Sequence, residues 1–186
     1  MGNTYQAIDD VVARFIGAQH LFFVATAPAR GGHVNLSPKG AAAFRILDPQ
    51  TVAYLDLTGS GVETIAHLRD DGRITIMFCA FDGSPKIVRL YGRGEVVCPG
   101  HPEFAALAGS FPRFAAVRSV IRVALERVSE SCGYGVPLYD YAGERPQLAA
   151  WADRKGPAGI AAYRRERNAA SIDGLPGLDP DEPSPG

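Results

Sequence analysis

The sequence predicts a mainly β, α+β fold: an antiparallel β-barrel with a few flanking helices. Three observations carry that expectation. Six or seven short apolar or alternating segments follow one another with mostly short connections. Few long helical stretches interrupt them. One segment, KIVRLYGRGEVV, alternates along its length and carries Gly92 and Gly94 in mid-strand, where a barrel needs a bend or a close backbone approach.

Each element follows from local pattern. Tyr5, Ile8, Val11, Val12, Phe15 and Ile16 recur at three and four residues, one helical stripe closed by Gly17. HLFFVATAP is short, apolar and ended by proline, which reads as a strand. GGHVNL follows a glycine-rich turn, so the two form a hairpin. AAFRIL and TVAYLDL are two more strands, divided by Asp48-Pro49. GSGVETIAHLRDDG reads as a short helix, with Ser60 and Glu63 fitting a capping box and Gly72 the stop. RITIMFCAF is apolar on both faces, like a strand buried on both sides. HPEFAALAGSF is a short surface helix. VRSVIRVALERVS is rich in β-branched residues and reads as a strand, although Arg118, Arg122 and Glu126 also fit helical spacing. PQLAAWADRKG and PAGIAAYRRERN read as two short helices. The division expected is a barrel domain over 1–145 with its N-terminal helix, a helical extension over 146–173, and a loose, acidic, proline-rich tail over 174–186.

Bulk properties exclude several classes. The chain has 186 residues, 46% hydrophobic and 21% charged, which suits one globular domain. Nineteen basic against twenty acidic residues leave a net charge of −1, so neither nucleic acid nor a membrane surface is an expected partner. Cys79, Cys98 and Cys132 are far apart and share no CxxC spacing, which argues against disulfides and zinc and for a reducing, cytoplasmic setting. MGNTYQAIDD has no basic region followed by an apolar run, so no secretory leader is expected. His20, His33, His67 and His101 stand at no metal-ligand spacing. No nucleophile elbow, Walker loop or dinucleotide fingerprint is present.

Four places carry candidate chemistry. HVNLSPKG starts as a strand and then breaks into Ser-Pro-Lys-Gly, so Ser37 and Lys39 either belong to a solvated turn or face something anionic. Ser60 and Gly61 open a helix, where free N–H groups and the dipole suit a phosphate; capping alone also explains Ser60 and Glu63. Arg89, Arg93, Arg118 and Arg122 lie on polar strand faces, suited either to phosphate or carboxylate contact or to solvent. In SCGYGVP, glycines flank Tyr134: either a tight turn holds a core tyrosine, or the ring lies against a flat ligand.

In order, HLFFVATAP, GGHVNLSPKG, VAYLDLTGSGVETIAHL, RITIMFCAF and IVRLYGRGEVV resemble the pyridoxamine 5′-phosphate oxidase-like family of FMN-binding split barrels, over about residues 15–137. SCGYGVP and RNAASIDGLPGL resemble a subgroup of it. The resemblance implies an antiparallel split β-barrel, a homodimer with flavin sites at the subunit interface, FMN as cofactor, and oxidoreductase activity on a small molecule. Lys39 falls where the family places a basic residue near the flavin, and Ser60 falls in the phosphate loop. The full expected flavin-binding set is Asn35, Ser37, Lys39, Ser60, Gly61, Thr64, Arg89, Tyr134 and Gly135, the last two from the partner chain or their own. The authentic oxidases follow that serine with Arg-Lys, whereas Gly61-Val62 follow here, so Lys39, Arg45 or another arginine has to meet the phosphate. The arginine motif that holds pyridoxine phosphate is also missing from the C-terminal part. No catalytic side chain is singled out, since the flavin ring takes the hydride. A deazaflavin-dependent reductase and a non-catalytic flavin- or haem-binding protein are the alternatives.

Overall fold

The computed structural model describes residues 2–179. The elements in chain order are β1 (Thr4–Tyr5), α1 (Asp10–Gly17), β2 (Leu21–Thr26), β3 (Asn35–Gly40), a 3-10 turn (Ala41–Ala43), β4 (Phe44–Asp48), β5 (Thr51–Leu57), α2 (Glu63–Asp70), β6 (Arg73–Cys79), β7 (Lys86–Val97), α3 (Phe104–Gly109), β8 (Val117–Cys132) and α4 (Gln147–Arg167). The strands form one antiparallel sheet in the order β3-β2-β6-β7-β8-β5-β4, with β1 beside β8.

Side-chain contacts show that this sheet is curled into a half-barrel. Phe22 on β2 lies far from β4 and β5 in sheet order. Its ring nevertheless meets Phe44 at 5.3 Å and Tyr54 at 5.6 Å, both edge to face. The inner faces of distant strands therefore converge on one core, built from Phe22, Val24, Ile76, Phe78, Leu90 and Ile121 among others. The expected split barrel is what forms: β3 and β4 end the hydrogen-bonded path as two edges. Closure is by side chains across the interior, while α2 packs against the adjacent strands β2, β6 and β7. A second apolar cluster, including Leu55, Phe111 and Val120, lies where α3 meets β8.

Several local expectations shift. Tyr5 belongs to β1, not to the helical stripe, and α1 begins after Asp9, whose carboxylate accepts from Val12 N at 2.7 Å. The expected hairpin forms, but its second strand is shifted: β3 starts at Asn35, inside GGHVNL, and runs on through Pro38 to Gly40. Pro38 is tolerated because β3 is an edge strand, whose unpaired side requires no N–H. Gly92 sits at a bulge between β7 and β8, where a Cβ would collide with the Ala124 carbonyl. VRSVIRVALERVS is indeed a strand, making up most of β8 from its first residue. The last two expected helices form α4, divided at Gly156, whose φ is 61°. The first residues of the segment expected as a loose tail are held, with Gly177 N donating to Ala169 O and Leu178 N to Asn168 O, each at 2.8 Å. Residues 180–186 of that segment lie outside the described residues.

Candidate functional site

Alternation along β3 turns Asn35, Ser37 and Lys39 inward, where they are half-buried, while Leu36 and Pro38 are exposed. The inward row meets α2. Asn35 Nδ2 donates to Thr64 Oγ1 at 3.1 Å, and Ser37 Oγ donates to Asn35 Oδ1 at 3.2 Å. Beneath them Thr26 Oγ1 and His67 Nδ1 share a hydrogen bond of 3.0 Å. His67 Nε2 and Tyr54 Oη are buried without a hydrogen-bond partner among the described residues. Burial, then the nearby Asp56 carboxylate, push the Tyr54 phenol well above its ordinary value of 10.0, so it is neutral.

The next layer is ionic. Asp56 on β5 is buried, and its Oδ2 accepts from Arg118 Nε at 2.7 Å and from Ser119 Oγ at 3.3 Å. Lys39 Nζ stands 3.6 Å from Oδ1. Burial alone would raise the Asp56 carboxyl, but Arg118 and then Lys39 outweigh it and hold it below its ordinary 3.8. Arg118 continues outward, with Nη1 donating to Gly61 O and to Asn168 Oδ1 at 2.9 Å each. Asn168 Nδ2 donates to Gly59 O at 2.9 Å and Ser60 O at 3.4 Å. All three carbonyls of the 59–61 loop are thus gripped from below, and Ser60 and Gly61 are exposed.

That grip overturns the expected capping box. The N-cap of α2 is Val62, and no side chain caps the helix. Glu63 instead accepts from Ile172 N at 3.3 Å, so the C-terminal segment takes the carboxylate that the capping box would have used. The other Glu63 oxygen lies over Gly61, where any side chain would collide with it. An acid therefore covers the helix start that the sequence offered to a phosphate.

Lys39 also lines a cavity of about 610 Å³ between the end of α1, β3 and the segment after β8. Aromatic rings share its walls with charged side chains, the acids Asp82, Asp140 and Glu144 among them. His20 and Tyr141 stack at 3.7 Å, and Phe81 meets Tyr139 at 5.6 Å. Arg145 lines it as a second cation.

The expected residues thus divide. Asn35, Ser37 and Thr64 form one hydrogen-bonded cluster, and Lys39 and Gly61 are both joined to it or to its neighbours through Asp56 and Arg118. Arg89 stands on the opposite face of the sheet: the row Pro38, Phe23, Met77, Arg89 runs across the outside, and Arg89 Nη1 donates to Ser131 Oγ at 3.1 Å. Tyr134 is 83% exposed, which removes the core-tyrosine alternative, and neither it nor Gly135 lines the cavity. Tyr139 and Tyr141, further along the same segment, do. Arg118 is not on a solvated face but 4% exposed and ion-paired. Arg45 is occupied elsewhere, donating to the carbonyls of Ser110, Ala42 and Phe44. Among the described residues no group of His, Cys, Asp and Glu could hold a metal, and no helix is long and apolar enough to cross a membrane.

Comparison with known proteins agrees with this architecture. The family model described as pyridoxamine 5′-phosphate oxidase matches residues 8–132. The pyridoxamine 5′-phosphate oxidase family protein ustO of Aspergillus flavus is 40% identical over 191 residues, spanning 94% of this chain and 77% of that protein. The crystal structure of HupZ from Group A Streptococcus superposes with a TM-score of 0.53 at 27% identity, over 65% of this chain and 91% of that one. A Lactobacillus delbrueckii structure shares the fold at 19% identity and TM-score 0.53, over 67% of this chain and 94% of that one.

The ionic layer predicts acid lability of a definite sign. Because the folded Asp56 carboxyl lies below 3.8, its contribution to stability is complete above that pH and is lost as pH falls below it. Urea midpoints measured at about pH 6 and about pH 3 should fall steeply in the native chain. Asp56→Asn should be less stable at neutral pH, by roughly 3–5 kcal/mol, and should show a shallower decline on acidification. Equal declines in both proteins would contradict the assignment.

Proposed function

The chain belongs to the pyridoxamine 5′-phosphate oxidase family, and on that premise we propose that it is an FMN-dependent oxidoreductase acting on a small molecule. One observation carries the reading. Lys39, whose ammonium is paired with Asp56, lines a cavity of about 610 Å³ together with His20, Phe81, Tyr139 and Tyr141. Flat rings and a fixed cation are the recognition chemistry of a planar aromatic ligand that bears phosphate. The volume falls within the range of small-molecule sites, ~300–1,000 Å³.

The residues of this chain then take distinct roles. Lys39, held by Asp56 and by the Tyr54 ring 5.5 Å away, meets the phosphate as a pre-positioned charge. Arg145 supplies a further cation at the same cavity. The aromatic walls hold the ring system and exclude water from it. Asn35, Ser37 and Thr64 form a separate polar cluster on the inner side of β3, outside this cavity, with donors already ordered by one another. Glu63 over Gly61 repels phosphate from the start of α2, which favours the Lys39 end. When bound, the flavin supplies hydride transfer, so no side chain of this chain is required as the redox group.

We also propose a homodimer. Phe23, Met77 and Tyr91 are only half-buried on the outer face, and Leu36 is 63% exposed beside them. Tyr134, Leu138 and Tyr139 add further exposed apolar area. A second copy covering these surfaces would bring Arg89 or Tyr134 to a partner's flavin.

Two measurements test these readings. In a flavin-fluorescence titration, Lys39→Ala should weaken FMN binding about ten- to hundred-fold, since a hydrogen bond to a charged group contributes ~1.5–3 kcal/mol. Unchanged affinity would place Lys39 in a purely structural ion pair with Asp56. In sedimentation velocity at micromolar concentration the chain should run as a dimer of about 40 kDa, twice its 19.8 kDa; a monomer would overturn the second proposal.

A further inference from the structure

A second cavity, of about 700 Å³, opens between α3, the 111–117 segment and α4, and shares no lining residue with the first. Its walls are apolar and largely aromatic: Leu55, Phe104, Phe111, Phe114 and Ile160. Among these lining residues lies a charge. Arg164, from the second half of α4, is 7% exposed. Its Nε donates to Thr58 Oγ1 at 2.9 Å, and its Nη2 donates to Val117 O at 2.8 Å and more weakly to Ala116 O at 3.4 Å. Every one of those partners is neutral. Among the described residues Nη1 has no hydrogen-bond partner and no carboxylate forms an ion pair with the guanidinium; Asp56, whose charge favours it from a distance, is itself paired with Arg118 and Lys39.

We propose that this cavity binds a small monocarboxylate with an apolar, preferably aromatic, body, its carboxylate received by Arg164. A buried cation without a counter-charge is costly, and an incoming anion removes that cost. A planar guanidinium suits a carboxylate, and the aromatic walls suit an apolar body. The charge is present at neutral pH: burial and then the neighbouring Arg118 lower Arg164 only to about 10. Arg113 and Asp153, both exposed, are the other charged lining residues and offset each other, which favours one negative charge on the ligand. The backbone is also shaped here. Ala116 adopts φ 56°, unusual for a residue with a Cβ, and this turns its carbonyl to accept from Thr58 N at 2.9 Å and Thr58 Oγ1 at 2.8 Å as well as from Arg164. Arg164 is therefore pinned along two of its three nitrogens, leaving the third for a ligand.

The test is calorimetric titration of the full chain with phenylpropionate and with its neutral analogue phenylpropanol. The acid should bind, and the alcohol should bind at least about tenfold more weakly, the difference expected of a charge-assisted hydrogen bond. Arg164→Gln should lose the preference for the acid, whereas Arg164→Lys should keep it. Ala108→Trp fills the cavity from α3 without touching the buried network, so it should abolish acid binding even if the Arg164 variants fail to fold. Equal binding of acid and alcohol, no binding of the acid, or acid binding that survives Ala108→Trp would each overturn the proposal. Displacement of the acid by saturating FMN would overturn it too, by making this cavity part of the flavin site.

Discussion

The buried pair between Asp56 and Arg118 is the interaction on which the rest of this architecture depends. Its two charges come from neighbouring strands, β5 and β8, at the register shift that follows Asp56. Either charge buried alone would carry a desolvation penalty of several kcal/mol. Once paired, each has capacity to spare. Asp56 uses its second oxygen to hold Lys39 on the edge strand β3, so the ion pair ties one edge of the split sheet to strands on its far side. Arg118 uses its outer nitrogen to hold the Gly61 carbonyl and Asn168, so the same pair anchors the loop before α2 and the chain after α4. Hydrogen bonding between β3 and β4 does not close this barrel; charge and aromatic packing across its interior do.

This hub also explains why the C-terminal extension is part of the fold. Asn168 reaches two loop carbonyls, Arg69 donates to Gly177 O, and Ile172 N finds Glu63. Gly177 is buried against Asn168 O and Val62, where any side chain would collide. A helix start that would otherwise expose free amides is thereby covered by an acid from its own first turn. The side-chain cations Lys39 and Arg164 each line a cavity away from that helix terminus.

The strands and the class of fold were legible because periodicity and turn chemistry are local. RITIMFCAF needed nothing beyond its own residue types to declare itself, and in β8 the β-branched residues outweighed a competing helical spacing of Arg118, Arg122 and Glu126. Lys39 was legible as a cation at the end of a strand, and Asn35, Ser37 and Thr64 do lie together. Asp56 was not legible: in TVAYLDL it is one acid in an apolar run, and its partners stand 62 residues away at Arg118 and on the edge strand at Lys39. The capping box misled for a related reason. Ser60 and Glu63 satisfy the local pattern, but Ile172, 109 residues on, takes the carboxylate instead. Arg164 and Asn168 sat in a polar helix end with nothing local to separate them from solvated neighbours. Properties set by one segment can be read from it; properties set by the meeting of distant segments cannot.

Flavin chemistry is the central claim, and the absorbance spectrum of the purified chain, before and after incubation with FMN, tests it most directly. The account predicts a flavin band near ~450 nm that persists through desalting, since the cofactor carries its own chromophore into the site. A band near ~420 nm, a haem Soret band, or a desalted protein that retains no chromophore after incubation with FMN would contradict it.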